Sequence, residues 1–158
     1  MKLKTTRFGS IEVDSDLILT FTQPIIGFPE HRRFVLVPVA EGSGVKWLQS
    51  VESGELAFLV MDPRVVMPEY RVELGSPELA ELAAESVDKL EVYTLVVVPE
   101  DRSLVRTNLK APILVNPHHR LAKQTILERS DYPVQYLLAR GQQGPDQKQE
   151  AVHARSDS

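Results

Sequence analysis

The sequence predicts a mainly β protein, a small antiparallel barrel-like domain with one short helix. Three observations carry that expectation. Apolar residues fall into many runs of strand length, several rich in β-branched and aromatic side chains. Gly, Pro, Asn and Ser separate these runs and supply turns. Only one segment repeats its apolar residues at helical spacing. Short strands in such number close most economically as a small barrel or sandwich.

Taken in order, Met1 to Phe8 and Ile11 to Val13 flank Gly9-Ser10, a hairpin turn by composition. Leu17 to Phe21 is a short apolar run. Phe34 to Val39 is a strand that Pro38 places at an edge or a bulge, because proline cannot donate to a ladder. From Val45 to Val51, Val45, Trp47, Gln49 and Val51 alternate with Lys46, Leu48 and Ser50, and Trp47 is read as a core residue in preference to an anchor for a partner. Leu56 to Met61 is apolar almost throughout, so both faces are expected to be covered. Tyr70 to Leu74 is a further strand candidate. Val92 to Val98 is the richest in β-branched and aromatic residues. Pro112 to Val115 and Gln124 to Leu127 complete the set, with Asn116-Pro117-His118-His119 turning between them.

The helix is expected to start at Ser76, a capping residue, with Pro77 in the first helical position and Glu78 near the positive end of the dipole. Leu79, Leu82, Ala83, Val87 and Leu90 then share one face. Glu78, Glu81, Glu85 and Asp88 share the opposite, wet face. Residues 1–138 form one domain. Residues 139–158 are expected to be a disordered tail, since from Gly141 onward only Ala151, Val152 and Ala154 are apolar.

Composition narrows the function. The 158 residues are 42% hydrophobic and 25% charged, an ordinary globular balance. There is no cysteine, hence no disulfide, thiolate metal site or cysteine nucleophile. Lys2, Lys4 and Arg7 are not followed by an apolar leader segment, and no apolar run approaches the ~20 residues of a membrane helix. The reading is a soluble cytoplasmic protein that does not bind membranes. A net charge of −4 disfavours nucleic acid, whose phosphates require basic surface.

Nothing converges on a catalytic centre. Gly42-Ser43-Gly44 lacks the lysine and the helix of a phosphate-binding loop. His118-His119 has no partner at zinc-ligand spacing and reads as a pair of solvated loop histidines. No nucleophile–base motif is visible, so a small hydrolase is disfavoured, and neither a metal nor a cofactor is expected. Arg32-Arg33 and His118-His119-Arg120 lack the interleaved aromatics of a single-strand binder. A direct RNA-binding β-barrel regulator is therefore the second choice. Polar residues within apolar stretches draw two readings. Gln49, Asn108 and Asn116 either tie strand ends to neighbouring backbone or present hydrogen bonds to a partner, and the structural reading is preferred.

Several segments, in order, resemble the FliW family of flagellar assembly factors. They are Arg7 to Val13, Gly27-Phe28 with Phe34-Val35-Leu36, and Trp47 to Val51 with Leu56-Ala57-Phe58 and Asp62-Pro63. Thr107-Asn108-Leu109, Ala111 to Asn116, Gln124 and Asp131-Tyr132-Pro133 follow, so the likeness spans residues 1 to 137. One departure is Thr22 to Phe28, which lacks the glycine that usually precedes the family's Ile-x-Gly-Phe step. The resemblance implies a barrel-like monomer, not an enzyme, with two protein partners. One is flagellin, held before export. The other is CsrA, a dimeric RNA-binding repressor of flagellin translation, which the factor antagonises once flagellin has left.

Two surfaces are candidates for these partners. Six acids and one lysine lie between Glu73 and Glu91, so Glu78, Glu81 and Glu85 form a candidate face for a basic protein. The Gly27-Phe28 loop and the segment flanked by Asn108 and Asn116 are candidates for an apolar groove that takes an amphipathic helix.

Overall fold

The computed structural model describes residues 1–40 and 42–141. Its strands are β1 (Lys2–Thr5), β2 (Gly9–Glu12), β3 (Leu19–Phe21), β4 (Arg33–Pro38), β5 (Val45–Ser50), β6 (Ala57–Met61), β7 (Glu91–Val97), β8 (Arg106–Thr107), β9 (Ile113–Asn116), β10 (Leu121–Gln124) and β11 (Tyr136–Leu137). Helix α1 spans Ser76–Glu81 between β6 and β7, and the single turn α2 spans Leu138–Gly141.

Seven strands close into a barrel in the order β3-β4-β5-β6-β7-β9-β10 and back to β3. Every pairing in the ring is antiparallel except β10 with β3. Strand β7 makes the closure. Its first residues, Glu91 to Tyr93, pair with β9, while Val96 and Val97 pair with β8 on the same edge. Strand β11 extends that outer flap by pairing with β8. Closure shortens the row of unpaired backbone groups that an open sheet exposes, leaving it mainly along β4 beyond Phe34.

The barrel interior holds Leu19, Phe21, Ile25, Phe34, Leu48, Val60, Tyr93, Ile113, Val115 and Ala122, all buried. Two coverings sit outside. The β1–β2 hairpin lays Leu3 and Val13 on Val35 and Val51, on the outer face of β4 and the end of β5. The stretch from Tyr70 to Leu90, joined by Leu127 and Tyr136, covers Val92 and Leu114 on the outer face of β7 and β9. These coverings explain why all four residues of β9 are buried although side chains alternate across a strand. They also explain the continuous apolar runs of the sequence, each buried side chain contributing about 1.5–3 kcal/mol.

Several expected boundaries shift, each for a local reason. The first hairpin turns at Thr6-Arg7-Phe8, not at Gly9-Ser10, because Thr5 pairs with Gly9. Thr5 Oγ1 organises that turn, accepting from Phe8 N at 2.8 Å and donating to Gly9 O at 2.8 Å. Leu17 ends a single helical turn and is exposed, leaving only Leu19–Phe21 as strand. Pro38 stands where β4 has only β5 beside it, since β3 reaches no further than Arg33 and Phe34. Strand β10 begins at Leu121, earlier than the expected Gln124 to Leu127, because the turn after Asn116 includes Arg120 with φ of +57°. Tyr70 to Leu74 forms no strand. Trp47 is not a core residue: it lies half-buried outside the barrel, edge-on to Phe8 at 6.3 Å, with the Arg7 guanidinium 3.8 Å from its ring centre. Of the expected tail 139–158, residues 139–141 fall in α2 and the remainder lies outside the described residues.

The helix also differs. Gly75, not Ser76, is its N-cap, and it ends after Glu81 instead of running to Leu90. Ala84 N donates to Leu79 O at 2.9 Å and Ala83 N to Ala80 O at 3.0 Å, the paired bonds of a Schellman terminus. Ala83 occupies the left-handed position, φ +53°, that glycine usually fills. Leu82 and Leu90 both reach the outer apolar cluster without a continuous helix between them.

Replacing Ala83 with Gly relieves the left-handed penalty and is expected to stabilise the fold by about 1 kcal/mol in urea denaturation. A destabilised Ala83→Gly protein would contradict this assignment of the helix end.

Candidate functional site

The three glutamates read as one wet face are separated by the fold. Glu78 and Glu81 turn toward the barrel. Glu81 Oε2 accepts from Thr22 Oγ1 at 2.7 Å and from Gln23 Nε2 at 3.4 Å, while its Oε1 meets Lys123 Nζ at 2.9 Å. Glu78 Oε2 accepts from Thr125 Oγ1 at 2.7 Å and lies 3.8 Å from the same ammonium. Lys123 is thus held between two carboxylates with its side chain 13% exposed. The hydrogen bond from Lys123, then that from Thr22, hold the Glu81 carboxyl below the usual carboxylate range. Glu85 stands apart and exposed, beyond the end of α1. The sequence carried no sign that Lys123, far along the chain, would neutralise this face.

The two asparagines work inside the fold. Asn108 Oδ1 accepts from Lys110 N at 3.0 Å and Ala111 N at 3.1 Å. That turn separates β8 from β9, so that both can use the same edge of β7. Asn116 is 3% exposed. Its Oδ1 accepts from His118 N and His119 N at 3.0 and 3.2 Å, shaping the turn before β10. Its Nδ2 donates to Leu82 O at 2.8 Å and Ala83 O at 3.2 Å, the carbonyls at the end of α1. Gln49, fully buried, serves similarly: Nε2 donates to Ser50 O at 3.0 Å and Leu56 O at 3.1 Å and gathers the turn between β5 and β6.

The Gly27-Phe28 loop follows β3. Ile25 is buried in the barrel core, Phe28 packs edge-on against Phe58 at 4.9 Å, and Phe28 N donates to Ile25 O at 2.8 Å. Gly27 has φ of +94°, a conformation that disfavours any side chain. Between these anchors Ile26 is 62% exposed, its N–H donating to Gln124 Oε1 at 3.1 Å. Val97 and Val98, near the end of β7, are also exposed. Periodicity gave no hint of this, because their neighbours in the same run are core.

Two open grooves border the stretch Arg71–Leu74. One, about 760 Å³, lies between Arg71–Gly75 and Thr125–Tyr132. The other, about 720 Å³, is bounded by Pro68–Leu74 with Arg64, Val87 and Asp88. Both are lined by polar and apolar side chains without a nucleophile–base pair in contact. Burial raises the phenols of Tyr70, Tyr93 and Tyr136 above the usual phenol range.

Removing the Asn116 amide with Ala leaves buried carbonyls and amides unpaired and is expected to cost about 1–3 kcal/mol in urea denaturation. The Glu81 carboxyl titrates lower in the folded chain than the ordinary 4.5, so its stabilisation is complete above that pH. It fades as the pH falls through the depressed native value. The stability gap between the native protein and Glu81→Gln should therefore be widest at neutral pH and close under acid; a gap that widens on acidification would contradict the assignment.

A profile of the FliW protein family matches residues 2–138. The flagellar assembly factor FliW of Natranaerobius thermophilus is 38% identical over 139 residues, covering 87% of this chain and 92% of that one. Its counterpart in Ruminiclostridium cellulolyticum is 37% identical over 139 residues, covering 87% and 94%. The crystal structure of a flagellar assembly factor FliW superposes with a TM-score of 0.80 at 32% identity, covering 87% of this chain and 96% of that chain. Sequence and barrel agree over the whole described domain: the chain belongs to the FliW family.

Proposed function

We propose that this protein is a flagellar assembly factor that binds flagellin in the cytoplasm and antagonises the translational repressor CsrA, acting through protein–protein contacts without catalysis. The observation that carries the reading is the family match over residues 2–138, which spans nearly the full length of relatives named flagellar assembly factors. The surface is compatible with it. Exposed Ile26, Val97 and Val98 supply apolar contact of the kind an amphipathic helix seeks. The acids without an ion pair among the described residues, Glu73, Glu85 and Asp88 among them, supply long-range attraction for a basic partner. No helix among the described residues is long and apolar enough to cross a membrane.

Glu78 and Glu81 do not serve as recognition acids in this reading, since their carboxylates are tied to Thr125, Thr22 and Lys123. Glu85, at the exposed end of the same segment, is the better electrostatic contact.

Titration calorimetry with purified flagellin and with purified CsrA tests the proposal. Saturable binding to both is expected, and Glu85→Lys should weaken CsrA at low salt while leaving thermal stability unchanged. A gel shift with naked flagellin leader RNA should show no complex. Binding to the RNA and to neither protein would replace this reading with that of a direct RNA binder.

A further inference from the structure

We infer that Val72-Glu73-Leu74 is an open strand edge that captures an extended, basic peptide segment by backbone pairing. Tyr70, Val72 and Leu74 are buried or half-buried in the outer cluster, while Arg71 and Glu73 are exposed, the alternation of a strand. Yet among the described residues no strand lies beside them. Arg71 N donates to Tyr132 Oη at 2.9 Å, and Tyr70 N to Met67 O at 2.9 Å. Among the described residues, Val72, Glu73 and Leu74 make no backbone hydrogen bond to the rest of the chain. The ladder groups of this stretch go unused among the described residues, although the barrel strands beneath it close into a ring.

The surroundings specify the occupant. Grooves of about 760 and 720 Å³ flank the stretch, within the ~300–1,000 Å³ range of ligand sites. Together they are lined by six carboxylates and three guanidiniums. Even with Lys123 set against Glu78, carboxylates exceed cations. An added strand satisfies the N–H and C=O groups of Val72 and Leu74, which an extended chain turns to the edge opposite Arg71 N, by the route that peptide-binding sheets use. Lysine or arginine side chains on that strand meet Glu73 on the edge itself and Glu128 across the larger groove. The inference adds a recognition mode to the protein-binding reading and rests on it only in taking the occupant to be a polypeptide. The test below uses neither flagellin nor CsrA, so either conclusion can fail without the other.

The probe is a blocked, fluorescein-labelled octapeptide alternating Lys and Val, titrated into the full chain by anisotropy. It is expected to bind in low salt, with slowed amide exchange between Val72 and Leu74, whereas a Glu–Val peptide does not bind. Two further peptides carry N-methyl groups on the odd or on the even residues. One of them should bind about tenfold more weakly, having lost its pairing edge, and the other within about twofold of the parent. Glu73→Lys with Glu128→Lys, checked for an unchanged melting curve, should also weaken the Lys–Val peptide. Equal affinity of both methylated peptides and the parent would overturn the inference, as would no binding at all. Protection of the 72–74 amides before peptide is added would overturn it in favour of another occupant. Sedimentation then tells a second copy of the chain from residues 142–158 of the same one.

Discussion

The structure depends on how β7 divides its edge. Glu91 to Tyr93 pair with β9 and close the barrel, while Val96 and Val97 pair with β8 and carry the chain outward. The strand is seven residues long, so both partners fit only if the chain between them leaves the edge and returns. Asn108 makes that detour by accepting from Lys110 N and Ala111 N. A second link acts at the start of β7, where Tyr93 Oη donates to Glu91 and accepts from Lys46 Nζ at 3.2 Å, tying β7 to β5. A closed ring presents little bare edge, which protects a β-rich domain from pairing with its own copies. It also forces the polypeptide left over, the Tyr70–Leu90 stretch and the β1–β2 hairpin, to the outside.

That outside layer is held by polar contacts as much as by apolar ones. Asn116, at the end of β9, donates to the last carbonyls of α1. Lys123, on β10, binds the two glutamates of its inner face. A helix of six residues is far below the length that is stable alone, so its position is set by these clasps and by the burial of Leu82. Gly54 shows how close the hairpin sits: a Cβ there would lie 1.9 Å from Lys4 O. Both coverings are therefore fixed to the barrel at defined points and are not loosely draped over it.

In the proposed reading, the recognition surfaces lie where this fixing stops. The stretch Val72–Leu74 is pinned through its buried side chains yet keeps its backbone groups unused, and the Gly27 loop is pinned through Ile25 and Phe28 yet leaves Ile26 outside. In each case neighbouring residues have opposite duties, one anchoring and the next displayed. The arrangement gives a preformed surface, so that in the proposed reading a partner orders little of this protein on binding.

Strand segments were legible from residue order because alternation and β-branched content are local properties. The stretches Phe34–Val39, Val45–Val51 and Val92–Val98 lie close to β4, β5 and β7. The family could be read for a related reason, since its motifs lie in contiguous blocks. The preferred reading of Asn108 and Asn116 as ties to neighbouring backbone agrees with their hydrogen bonds, but the Lys123 clasp and the reach of Asn116 to the end of α1 were not legible, because each joins residues distant in the chain. Glu78 and Glu81 illustrate the limit. Helical periodicity placed them opposite the leucines and so in water, but periodicity knows only the helix and not what stands beside it. The barrel wall put Thr22, Lys123 and Thr125 there, and the hydrogen bonds they offer turned the polar face inward.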